Sequence, residues 1–205
     1  DDFPYYHFPY TYLITQTSHP FGLGLLNNGF RNPSSLFFFN SLLFLPKIDI
    51  YFLHLGSVYF LGFSNLFFIK NIFDKSNFKH LKFYNFLNLF CFILVNVLFV
   101  RLAEYGTDRG GQIFILIGVL ILLLLINNKT KLEKFSINQH IKFFFIIGSL
   151  IISLKPFYLI YFPLIFSFLI FPKLRKCFLT SLKSTTFLIV VIFWFFSFFY
   201  TFINS

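Results

Sequence analysis

Two stretches of this chain hold residue types that could do chemistry. The first is Asp1-Asp2-Phe3-Pro4-Tyr5-Tyr6-His7-Phe8-Pro9, the only place where two carboxylates adjoin. Paired carboxylates beside a histidine can act as a general base or hold a hard cation through oxygen. The plainer alternatives are a solvated loop whose acids cap the next helix, with His7 as a hydrogen-bonded packing residue. The second stretch is Arg101-Leu-Ala-Glu104-Tyr-Gly-Thr-Asp108-Arg109-Gly-Gly-Gln112, in which four charges fall within nine residues. Gly106, Gly110 and Gly111 permit tight turns there. A planar guanidinium makes paired, charge-assisted hydrogen bonds to phosphate, and ionisable groups at a membrane boundary are costly when idle. The plainer reading is an interfacial loop whose Arg and Glu pair with each other. Lys155, between two apolar segments, either snorkels to mark a helix end or adds a phosphate contact. Arg31 stands among the turn formers Asn27-Asn28-Gly29 and Asn32.

What must position these residues follows from composition. Of 205 residues, 57% are hydrophobic, 24% are aromatic and 12% are charged, about half the charged share of a soluble domain. Apolar runs recur at close to the roughly 20 residues that a helix needs to cross a bilayer. The class expected is all-α: a polytopic transmembrane helix bundle. The formal net charge of +10 does not indicate nucleic acid, because the basic residues occupy short loops between apolar runs rather than one wet surface. Cys91 falls inside a span and Cys177 in a basic loop, levels too different for a disulfide.

Residues 1–47 carry Pro4, Pro9, Pro20, Pro33 and Pro46, a density that excludes one continuous spanning helix. Two short interfacial helices are expected instead, about Pro9 to Gln16 and about Ser35 to Leu45, the second capped by Ser34. Residues 48–205 are expected to form a membrane domain with six spans: 48–69, 83–100, 113–126, 143–154, 157–171 and 185–203. Spans four and five are separated because about 29 residues in one helix would extend about 44 Å, well beyond a hydrocarbon core of about 30 Å. Lys155-Pro156 is the natural break. No Met stands at position 1 and the chain opens in a polar motif, which we read as a fragment lacking an upstream span.

Charge orients this arrangement. The loops 70–82, 127–142 and 172–184 fall on one side with four Lys or Arg each, twelve of the seventeen. The positive-inside tendency makes that side cytoplasmic. The opposite side receives Asp1, Asp2, Asp49, Glu104 and Asp108 together with Arg31, Lys47, Arg101, Arg109 and Lys155.

An acidic pair in a first outer loop, two interfacial helices behind it and a second charged outer loop resemble the GT-C superfamily of integral membrane glycosyltransferases. More narrowly, Asp1-Asp2-Phe-Pro-Tyr-Tyr-His-Phe-Pro with Arg101-x-x-Glu104-Tyr-Gly-Thr-Asp108 looks like a family of bacterial polytopic membrane proteins beside those transferases. The resemblance covers about residues 1–126. It implies inverting transfer of a sugar from a polyprenyl-phosphate carrier to an acceptor at the outer face of a bacterial plasma membrane. Asp1 or Asp2 would be the base, and Arg101, Arg109 and Lys155 would hold the carrier phosphate, with Glu104, Asp108, Arg31 and His7 as further candidates on the same side. A divalent cation, Mg or Mn, serves some members and not others; Asp1 and Asp2 are its candidate ligands. The partners implied are the bilayer and a lipid-linked sugar donor. The same charges are compatible with a transporter of an anionic or sugar substrate, or with a surface-polysaccharide polymerase or ligase.

Overall fold

A computed structural model describes residues 3–17, 22–32, 34–45, 47–48, 50–73, 82–98, 107–127 and 134–204. Every regular element among them is helical. A π-type turn, Phe3–His7, leads into α1, Phe8–Gln16. Pro9 lies in the first turn of α1, where its missing N–H would have had no intrahelical partner anyway. Two 3-10 turns, Leu23–Leu25 and Asn28–Phe30, follow. Helix α2, Ser35–Ser41, starts where the sequence predicts, with Ser34 Oγ accepting from Leu36 N at 3.2 Å. Such a cap contributes about 1 kcal/mol. Tyr10, Leu23, Phe30 and Phe37 form the small core of this N-terminal lobe.

The bundle proper contains α3, Leu55–Phe73, α4, Lys82–Leu98, α5, Thr107–Asn127, and α6, Lys134–Leu154. Helix α5 lies at its centre: Ile113, Ile117, Ile121 and Leu125 repeat every fourth residue and all are buried. Gly118 faces α6, where a Cβ would stand in ordinary contact, 3.8 Å from Phe144. After Leu154 the chain turns into a 3-10 helix, Pro156–Phe166, a single α turn, α7, Ser167–Ile170, then α8, Pro172–Leu182, and α9, Thr185–Asn204.

Three contacts give the neighbours their directions. Asn65 and Asn96 join α3 to α4 through reciprocal amide bonds of 3.0 and 2.8 Å. Phe67 meets Phe143, on α3 and α6, with ring centres 6.2 Å apart, and the start of α5 meets the end of α6 through Asp108 and Lys155. The lobe docks at that same end. Ser35 Oγ lies 2.9 Å from Ser153 Oγ near the end of α6, Gly56 N donates to Asn40 Oδ1 at 3.0 Å at the start of α3, and Phe38 packs 5.4 Å from Tyr200 near the end of α9.

Among the described residues three stretches, Ile50–Phe73, Thr107–Asn127 and Ser136–Leu154, are long and apolar enough to cross a membrane; a fourth is added if the bent pair Leu174–Leu182 and Thr185–Tyr200 counts as one span. The six-span expectation is therefore met only in part. Lys82–Leu98, in place of 83–100, is apolar but has 17 residues. The expected span 113–126 begins earlier, at Thr107, and 143–154 is preceded by further helix from Lys134. The break at Lys155-Pro156 is present: Pro156 lacks an N–H and disfavours helical backbone at the residue before it. Residues 157–171 do not form an α-helical span, because the 3-10 helix covers most of them and contains Pro163. Cys91 and Cys177 are both buried free thiols.

Candidate functional site

The charged end of the bundle is built by two antiparallel helix termini. Asp108 occupies the first turn of α5, where the helix dipole favours a carboxylate. Lys155 follows the last residue of α6, where the dipole favours a cation. Because the two helices run in opposite directions, these termini lie side by side, and Lys155 Nζ donates to Asp108 Oδ1 at 2.6 Å. Tyr158 completes the unit. Its amide donates to the Lys155 carbonyl at 3.0 Å, and its hydroxyl donates to the Asp108 backbone carbonyl at 3.0 Å.

Gly110 and Gly111, expected from the sequence to permit tight turns, are helical instead. Both lie inside the first turns of α5, as do Asp108 and Arg109. Their use is close packing: a Cβ at Gly111 would enter the Tyr158 ring, and one at Gly110 would stand 3.1 Å from Phe60. Gly111 thus lets the Tyr158 ring lie flush on α5 with its hydroxyl at the Asp108 carbonyl. Tyr158 was missed in the sequence because a tyrosine in an aromatic-rich apolar run carries little signal. Its position two residues after a helix-breaking proline was the available clue.

The other candidates are distributed as follows. Arg109 is half-buried on the same turn as Asp108. Arg31 is exposed at the end of the Asn28–Phe30 turn. His7 is buried in the N-terminal lobe, with its ring 4.3 Å from Tyr6 and 5.3 Å from Phe37, so packing dominates its surroundings. Asp1, Asp2, Arg101 and Glu104 lie outside the described residues. The described residues that flank them, Phe3–His7 and Thr107–Arg109, belong to the lobe and to the helix terminus at the end where the lobe docks.

Among the described residues no group of three His, Cys, Asp or Glu is placed to hold a metal ion. An apolar cavity of about 50 Å³ lies between α5, α6 and α9, lined by Ile115, Gly118, Phe144, Tyr158 and Trp194 among others. Ligand pockets for drug-sized molecules run to about 300–1,000 Å³, so this cavity is too small for a saccharide. What the polar end offers chemically is fixed cations and a carboxylate at helix termini, an arrangement suited to binding an anion and holding it in one orientation.

No family model, curated protein or solved structure matches this chain.

Proposed function

We propose that the chain works as a membrane-embedded inverting glycosyltransferase of the GT-C type, which moves a sugar from a polyprenyl-phosphate carrier to an acceptor at the face opposite the lysine-rich loops. Asp1 or Asp2 takes the acceptor's proton as the new bond forms. Arg101 and Arg109 neutralise the charge growing on the departing carrier phosphate, and Lys155 joins them when the phosphate competes with Asp108 for its ammonium. Preorganised cations are effective in this role because they need little rearrangement as the charge develops.

The observation that carries the reading is the docking of the N-terminal lobe at the end of the bundle that bears Asp108, Arg109 and Lys155, through the Ser35–Ser153 and Asn40–Gly56 contacts. A base and a phosphate clamp from distant parts of the sequence need such a shared end. The test is transfer from a polyprenyl-phosphate sugar by the protein reconstituted in liposomes. Asp2→Asn and Arg101→Ala should each abolish transfer while membrane insertion is unchanged; full activity in both variants rejects the proposal.

One observation favours a second reading. The helix is broken at Lys155-Pro156 and continues as an eleven-residue 3-10 segment, and transporters often build substrate sites at interrupted helices. Uptake of a sugar or anion by the same liposomes, with no lipid-linked donor present, would select it.

A further inference from the structure

Helix α8, Pro172–Leu182, is two-faced. Leu174, Cys177, Phe178 and Ser181 are buried, a spacing of three to four residues that defines one helical stripe. Phe178 packs with its ring centre 5.6 Å from Phe145 of α6 and 5.7 Å from Phe168. Arg175, Lys176 and Leu179 are exposed on the other face, and Lys183, at the C-terminal cap, is exposed beside them.

Three observations identify what this face meets. The first is charge. From residue 134 to 205 the sequence contains seven Lys or Arg and neither Asp nor Glu. Among the described residues, Arg175, Lys176 and Lys183 make no ion pair, and the carboxylate of Asp108 is engaged by Lys155. The second is level. Phe145 lies just past the place where α6 changes from the polar run Asn138-Gln139-His140, closed by Lys142, to the mostly apolar stretch that starts at Phe143. The third is direction. Helix α8 is bent by 66° from the apolar α9 that follows it, so a bilayer crossed by α9 meets α8 at a steep incline. A short helix at the boundary of the apolar zone, inclined to the spanning helix, with a basic outer face and an exposed leucine, has the form of an interfacial helix.

We propose that α8 lies on the membrane surface and binds the phosphate groups of anionic phospholipids through Arg175, Lys176 and Lys183, with Leu179 entering the acyl boundary. Polybasic segments beside a span are attracted to anionic lipid by an amount that grows with each Lys or Arg and falls off within a Debye length. This binding is independent of the transferase reading.

The test uses the whole chain in phosphatidylcholine bilayers that carry a trace of spin-labelled phosphatidylglycerol or spin-labelled phosphatidylcholine. The chain should immobilise the anionic probe in preference to the zwitterionic one. The triple variant Arg175→Gln/Lys176→Gln/Lys183→Gln should cut that preference by about tenfold, whereas Lys70→Gln/Lys82→Gln should leave most of it. An unchanged preference in a folded triple variant overturns the proposal. If the triple variant loses its helical circular dichroism, the unmodified chain decides: about 1 M NaCl should collapse the preference, and its persistence overturns the proposal. In neutral detergent, phosphatidylglycerol should raise the melting temperature and inorganic phosphate at the same concentration should not. Equal stabilisation by both would assign the site to free phosphate and reject the membrane surface.

Discussion

Lys155 and Asp108 are separated by 47 residues in sequence, yet they form a 2.6 Å ion pair that ties the end of α6 to the start of α5. The pair joins the negative end of one helix dipole to the positive end of its neighbour, so each charge also suits its own helix. Both side chains remain open, Lys155 43% and Asp108 51% exposed. Half-exposed pairs contribute about 1 kcal/mol or less. Asp108→Asn and Lys155→Gln should therefore each lower the stability of the detergent-purified chain by no more than about that amount, measured by thermal melting followed by circular dichroism. A loss of about 3 kcal/mol or more would mean that the pair is desolvated and holds the fold rather than standing ready for a ligand.

Gly111 should be far less tolerant than Gly148. A methyl group at Gly111 enters the Tyr158 ring, while one at Gly148 meets nothing within 4 Å. Gly111→Ala should destabilise by about 1–3 kcal/mol, the usual range for overpacking. Gly148→Ala should be neutral or stabilising by up to about 1 kcal/mol, because alanine loses less backbone entropy in a helix interior. Parallel melts of the two variants check this, and equal effects would show that Tyr158 does not lie on α5.

Asn40 acts as a cap from a distance. It is fully buried, and its Oδ1 accepts from Gly56 N at the start of α3. Asn40→Ala leaves that amide unsatisfied and should cost about 1–3 kcal/mol. Asn40→Asp keeps the acceptor oxygen and adds a charge that the helix start favours, so it should retain more stability than alanine. Because the bond also fastens α2 to α3, Asn40→Ala should speed proteolytic nicking of residues 42–54 relative to the unmodified chain.

The Asn65–Asn96 pair should display strong coupling. Each amide donates to the other, and Asn96 Nδ2 also donates to the Phe92 carbonyl. In a membrane setting a single Asn→Leu change strands the remaining amide, whereas the double change removes both polar groups. Each single variant should lose about 0.6–1.7 kcal/mol, and Asn65→Leu/Asn96→Leu should lose less than the sum of the two. A double-mutant cycle in SDS unfolding measures this; strict additivity would contradict the pairing.

Signals with a local cause were legible in the sequence. Pro156 ended α6, and Ser34 after Pro33 opened α2, because a missing donor and a side-chain cap act within one helical turn. The periodic apolar runs gave the long helices their centres. Their ends were less legible. Gly110-Gly111 suggested turns, although both glycines are helical and serve close packing, Gly110 against Phe60 of α3 and Gly111 against the Tyr158 ring 47 residues further along the chain. Lys134 and Lys142 read as loop residues, yet the helix starts at the first and runs through the second. The segment 157–171 matched a span in hydropathy, which does not register that Pro156 and Pro163 deprive an α-helix of donors. The Asp108–Lys155–Tyr158 unit depends on a long-range contact, and neither periodicity nor spacing reports one.

To share one reaction site, the first-loop carboxylates and the 101–109 segment must face the same side of the membrane. Side-specific thiol labelling tests it most directly, with Asp2→Cys and Arg101→Cys placed singly in the complete chain and treated with a membrane-impermeant maleimide in sealed, oriented vesicles. Cys91 and Cys177 are buried, so they should contribute little background before denaturation. Both introduced cysteines should react from the same side, while a cysteine at Lys176 should react only from the other. Labelling of position 2 and position 101 from opposite sides would contradict a shared site.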